Sequence, residues 1–125
     1  PLAEAKAVLW ALAKAKRESI TDAPGTMVTT RFGTVQSDAT SQRKINGMVT
    51  MALIAQGMGA PFSEAFTLAD NSVVTLSAPQ MIGLGVAVGQ HVAVAYARGR
   101  ALRDAIHAAL DHDALDLIDV DAGWP

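Results

Sequence analysis

The chain has 125 residues, enough for one domain with a modest core. Half of it is apolar and 18% is charged, which excludes a disordered chain, and a net charge of −2 with a pI near 5.8 lacks the basic excess of a nucleic-acid binder. The absence of cysteine excludes a disulfide framework, a thiolate nucleophile and a cysteine-based metal site.

The composition holds 24 alanines and 10 glycines against six aromatic residues. Small side chains let helices approach closely but bury little area each. Such a domain is expected to complete its core with long helices or with partner chains. The sequence begins at Pro1 without a methionine and is expected to be a fragment or a trimmed product. Its first ten residues carry Glu4 and Lys6 and do not form a signal peptide. The longest apolar run, Met81 to Ala97, is interrupted by Gln90 and His91 and falls short of a membrane span. No membrane insertion is expected.

Residues 2–19, "LAEAKAVLWALAKAKRES", are rich in helix formers, with Leu2, Ala5, Leu9 and Leu12 on one face. That stripe is narrow, so the helix is expected to need a partner or to end a longer coiled coil. "ITDAPGTM", 20–27, is a loop turning at Pro24-Gly25. Two β-prone runs, 27–31 and 33–36, predict a small hairpin around Phe32-Gly33. Asp38 is a candidate N-cap for a helix over 39–57, which repeats Ile45, Met48 or Val49, Ala52 and Ala55 and stops at Gly57 and Gly59. Gly47, inside it, predicts a close helix contact.

In "FTLADNSVVTLSAPQMI" the strands 65–69 and 72–76 flank Asp70-Asn71, residue types that tolerate left-handed backbone and bond locally to a turn. A hairpin tip without chemistry accounts for every residue. Ser77 and Gln80 have capping-box spacing, and Pro79 suits a first helical turn. The helix they open is predicted from Ala78 to about His112. Met81, Gly85, Val88, Val92, Ala95, Gly99, Leu102 and Ile106 form a seam along it at alternating spacings of three and four. The order strand, turn, strand, cap, helix occurs twice, as a weak internal repeat.

The predicted fold is therefore α+β, with three helices, the C-terminal one long, and two small antiparallel β-hairpins. The expected organisation is an N-terminal helix at 1–19, a hairpin-helix-hairpin-helix domain at 20–112 and a solvated acidic tail at 113–125. The expected core is Ile45, Met48, Leu53, Phe66, Leu68, Val74, Leu76, Ile82, Leu84, Val88 and Val92.

Candidate chemistry is thin. Asp111, His112, Asp113, Asp116, Asp119 and Asp121 are the densest set of possible ligands. A calcium loop needs glycine at its sixth position and glutamate at its twelfth; from Asp111 these fall on Asp116 and Ala122. His91 lies mid-helix among valines with no marked nucleophile, and reads as a polar group at a helix interface. His107 can pair with Asp104 or Asp111 on a helix surface. "GLGVAVG", Gly83 to Gly89, lacks the spacing and the strand-to-helix setting of a phosphate loop. "KAKR", 14–17, lacks the aromatics of a single-strand platform and reads as a solvated face. Glu64 and Asp70 are the only acids of the middle region available for glycoside hydrolysis, and they flank a strand. No catalytic, cofactor-binding or metal residue is assigned, and no enzyme is expected.

The run from Gly33 to Ile106 resembles a domain of unknown function found in tail or tail-fibre-associated proteins of tailed bacteriophages and prophages. The "SDATSQRKI" helix start, the "TLADNSVVTLS" hairpin, the "MIGLGVAVGQHVAVAYARGRALRDAI" helix and the "AGWP" ending carry the resemblance. Phe66 stands where tryptophan is expected. The resemblance implies a structural or binding module of the virion tail, present in the host cytoplasm during assembly. It implies oligomerisation, with a trimer favoured because tail fibres are commonly three-fold, and contact with other tail proteins or a host surface. A chaperone-like tail-fibre assembly factor is the alternative.

Overall fold

A computed structural model describes all residues from Pro1 to Pro125. It is α+β. In chain order it has α1 (Leu2–Thr21), β1 (Met27–Thr30), β2 (Gly33–Gln36), α2 (Ala39–Gly57), β3 (Ser63–Thr67), β4 (Val73–Ser77), α3 (Ala78–Ala108) and α4 (His112–Asp116). The strands make two antiparallel two-stranded sheets, β1 with β2 and β3 with β4. No helix is long and apolar enough to cross a membrane. The chain forms two compact units, Asp22–His91 and Pro1–Thr21 with Val92–Pro125. α3 contributes its first part to one and its second part to the other.

The unit Asp22–His91 contains both hairpins and α2. Its buried cluster is Val28, Val35, Ile45, Ala52, Leu76, Ala78, Met81, Leu84 and Val88. Of the expected core, Ile45, Leu76, Leu84 and Val88 are buried, while Met48, Phe66, Leu68, Val74 and Ile82 pack half-buried against them. Leu53 is not core but 52% exposed, because it lies on the flank of α2 away from Ile45 and Ala52. Val92 is half-buried and outside this cluster.

Local signals decide most boundaries. Ser77 N–H donates to Gln80 Oε1 (2.9 Å) and Gln80 N–H to Ser77 Oγ (3.4 Å), a capping box that starts α3. Asp38 occupies the N-cap position of α2 but makes no side-chain cap bond. The Ala39 N–H, at the first helical position, donates to Asp22 O (3.1 Å), and Gln42 Nε2 ties Asp22 Oδ1 (3.0 Å) to Ser37 O (2.8 Å). At the other end of α2, Gly59 has φ 64°, its N–H reaches Gln56 O (3.2 Å), and the Ala60 N–H reaches Ala55 O (2.8 Å). That is a Schellman stop, which favours glycine at the left-handed residue. The first hairpin turns at Arg31-Phe32, one residue earlier than expected, with Thr30 paired to Gly33. A Cβ on Gly33 would lie 2.7 Å from Leu68 Cδ1, so the second hairpin closes over it. The Ala69 N–H also donates to Thr34 O (2.9 Å).

In the second unit, α1 runs antiparallel to the C-terminal part of α3. Lys6 Nζ donates to His107 O (2.9 Å) at one end, and Arg17 lies against Gly99 at the other. Ala13 and Leu102 are buried here with Val120, and Ile106 and Ala109 with Leu115. The seam on α3 is thus covered within the chain. Gly99 faces Arg17 of α1, and a Cβ on Gly85 would come 2.5 Å from Val49 Cγ2 of α2. These glycines report intrachain contact, not a contact between copies.

α3 ends at Ala108 rather than His112, and a fourth helix follows. Asp111 caps α4 by accepting from Ala114 N–H (2.8 Å). The solvated tail is corrected accordingly: Leu115 and Val120 are buried, although Asp113, Asp116, Asp119 and Asp121 stay exposed. Arg98 Nε donates to Ala122 O (2.9 Å), and Trp124 Nε1 to Val120 O (2.8 Å), which folds the end of the chain back on its own unit.

Candidate functional site

α2 is apolar on two faces. One, carrying Ile45 and Ala52, faces the core. The other carries Gly47, Met51 and Ile54, continued by the C-cap residue Met58, at spacings of four, three and four, which a period of 3.6 places on one stripe. Met51 is 60% exposed, Ile54 50% and Met58 76%. A Cβ on Gly47 would meet nothing within 4 Å, so the close contact expected there is absent within the chain. Beside the stripe lies a groove of about 550 Å³ lined by Met48, Ala55, Pro61, Phe62 and Glu64 among others. Methionine is flexible and polarisable, so such a surface adapts to an apolar partner. Contiguous exposed apolar patches mark interaction sites, whereas singly scattered ones need no explanation. A second groove, about 350 Å³, lies between the start of α2 and β3, with Lys44, Phe66, Leu68 and Asn71 on its walls.

The sequence-derived candidates fall elsewhere. Asp70 and Asn71 lie in the second hairpin, in a loop of three residues rather than two. The Leu68 N–H donates to Ser72 O (2.8 Å) and the Asn71 N–H to Leu68 O (3.0 Å), a turn followed by Asn71 at φ 67°. Asn71→Gly is expected to leave stability unchanged or slightly raised in chemical denaturation, while Asn71→Val is expected to cost about 1–2 kcal/mol.

Asp70 Oδ1 accepts from Ser72 Oγ (2.6 Å) and Ser72 N–H (3.0 Å). Those bonds, the hydroxyl's first, hold its carboxyl below the ordinary value of 3.8. A depressed carboxylate adds stability that is fully present above 3.8 and lost as pH falls through the folded-state value. The stability difference between wild type and Ser72→Ala is therefore expected to shrink as the pH drops below 3.8.

Glu64 starts the same hairpin, opposite Leu76, at least four residues along the strand from the loop that holds Asp70. At about 3.3 Å per residue the two are more than about 13 Å apart. Paired glycosidase carboxylates lie within about 9.5 Å. The C-terminal acids hold turns: Asp111 caps α4, and Asp119 Oδ1 accepts from Asp121 N–H (2.9 Å). No three histidine or acidic side chains converge at metal-binding distance. His91 is half-buried within α3, and His107 is exposed. Asp104 pairs with its neighbour Arg103 (3.2 Å), not with His107.

Gly83 and Gly85 lie inside α3 and are packing positions, against Arg31 and Val49. In the 14–17 cluster, the expectation of a solvated face fails for Arg17. Its guanidinium stacks 4.5 Å from the Tyr96 ring, and Lys14 lies 5.6 Å from the Trp10 ring. Residue type and local spacing do not announce these ring contacts, nor that the outer stripe of α2 is left uncovered. The signal for the stripe itself is present in the sequence: at about 100° per residue Met51 and Met58 fall about 120–140° round the helix from Ile45, on a second apolar face.

The chain matches the family model described as a domain of unknown function (DUF4376) over residues 4–122. It is a member of the DUF4376 family. The match takes in α1 and most of the C-terminal segment, so the DUF4376 domain includes both compact units rather than the middle region alone. No curated protein and no solved structure matches it. The outer face of α2, with its methionine-lined groove, is the candidate site of this DUF4376 domain.

Proposed function

We propose that the chain is a non-enzymatic structural or binding module of a phage or prophage tail or tail-fibre protein, acting through protein–protein contact. One observation carries the binding part of this reading: the exposed stripe Met51, Ile54 and Met58 beside a groove that reaches Phe62. An apolar face with no partner in its own chain is stabilised when a partner covers it, at about 25 cal/mol per Å² removed from water. The tail setting comes from the resemblance in the hairpin and α3. Copies of the chain, other tail proteins or a host surface are its partners.

Mass spectrometry of purified particles tests the reading. The module is expected in the tail at a fixed ratio to the other tail proteins, and Met51→Glu with Met58→Glu is expected to reduce its incorporation. A module abundant in the lysate but missing from finished particles would point instead to a tail-fibre assembly factor.

A further inference from the structure

We infer that the outer face of α2 is an isologous contact, in which α2 packs antiparallel against α2 of a second copy of this chain. The inference rests on the reading above that the protein works through protein contact, and it names the partner for that site.

The stripe is complementary to itself only in the antiparallel sense. A two-fold axis midway between Met51 and Ile54 sets Met51 on the partner's Ile54 and Gly47 on the partner's Met58. The most exposed large side chain of the stripe, Met58, then meets the one position with no side chain, and a Cβ at Gly47 has open space within its own chain. This pairing gives the mid-helix glycine a role, since alanine there would favour the helix. Isologous contacts have this reciprocity, each residue pair occurring twice.

Charge selects the same arrangement. Lys44 lies at the N-terminal end of the stripe, and Glu64 lines the groove at its C-terminal end. Neither forms an ion pair within the chain, whose one salt bridge joins Arg103 to Asp104. Antiparallel packing brings Lys44 near the partner's Glu64, twice. Parallel packing would instead set Lys44 on the partner's Lys44 and Gly47 on the partner's Gly47, opposing like charges and leaving a gap. The mismatch disfavours the wrong register as the match favours the right one.

The chain has no cysteine, so introduced pairs can be read without background. Gly47 and Met58 are about 16 Å apart along one helix at about 1.5 Å per residue. That is beyond the roughly 7 Å a disulfide spans, so Gly47→Cys/Met58→Cys can bridge only between copies. Under oxidation the double variant of the 125-residue chain is expected to run as a covalent dimer, about twice 13.0 kDa. Either single variant is expected to remain largely uncrosslinked. By light scattering, wild type is expected to be dimeric at about 100 μM, where micromolar association is nearly complete. Gly47→Leu and Lys44→Glu are each expected to weaken the dimer about tenfold or more with unchanged circular dichroism, and Lys44→Glu/Glu64→Lys to restore it.

A wild type that stays monomeric at that concentration overturns the inference, as does a dimer in which Gly47→Cys alone crosslinks as well as the pair. Both results leave the tail reading standing, because particle composition tests that independently. A module missing from particles overturns the tail reading without touching the dimer.

Discussion

Ending the chain after Asp113 is expected to lower the unfolding free energy by about 3–6 kcal/mol. The removed segment is acidic, and by composition its loss would relieve repulsion and cost nothing. Its apolar residues decide otherwise. Leu115 is 5% exposed and Val120 9%, and burying each such side chain is worth about 1.5–3 kcal/mol. Ile118 and Trp124 pack half-buried against the same clusters as Ala13 and Leu102, and their loss adds to the cost. The bonds from Arg98 to Ala122 O and Asp119 O go with them. Chemical denaturation of the truncated and full chains measures the difference. Asp116→Asn provides the contrast: Asp116 is exposed and in no ion pair, so the change is expected to stay within about 0.5 kcal/mol. A truncation that costs under about 1 kcal/mol would restore the solvated tail and remove α4 from the core.

Leu84→Ala is expected to cost about 2–5 kcal/mol, the range for deleting buried methyl groups without collapse of the site. Leu84 is fully buried in the first part of α3, in one cluster with Ile45, Leu76, Met81 and Val88. Relaxation around it is limited, because Gly85, the next residue, already touches Val49 and α2 has no room to move inward. Leu53→Ala is the matched control. The sequence pattern gave both leucines to the core, but Leu53 is 52% exposed, so its truncation is expected to cost less than about 0.5 kcal/mol. Equal losses for the two variants would overturn the assignment of faces on α2.

Much of this fold is legible without coordinates, for a local reason. The capping box at Ser77 and Gln80, the glycine stop at Gly59 and the left-handed Asn71 each depend on residues within about five positions. The range of α2 and the pairing of both hairpins follow from such signals. Where the local signal is degenerate, the reading slips. Asp38 and Asp111 are equally good caps by type, but only Asp111 makes the side-chain bond, to the Ala114 N–H. The second hairpin's loop is one residue longer than its turn residues predict, because Ala69 carries no turn signal of its own.

The candidate site was less legible than the fold. Catalytic and metal-binding residues declare themselves by type, so Asp70, His91 and the C-terminal acids drew attention. A binding face declares itself only by being left uncovered, and coverage is not a property of residue type. Gly47, Gly85 and Gly99 look alike in the sequence. One is open, one lies against Val49 and one lies against Arg17.

Residue type and short-range spacing set the elements here: an α+β chain with two hairpins and a long helix late in the chain. Periodicity, caps and turns act over one or two turns of helix, and that range suffices for them. Tertiary structure alone decided which faces are covered. α1 covers the second half of the α3 seam through contacts such as Lys6 with His107, 101 residues apart, and the C-terminal segment closes on the same unit. An alanine-rich stripe suits a partner in the same chain as well as one in another, because small side chains fit either. Only the three-dimensional arrangement shows that the seam of α3 is covered within the chain while the outer stripe of α2 is not.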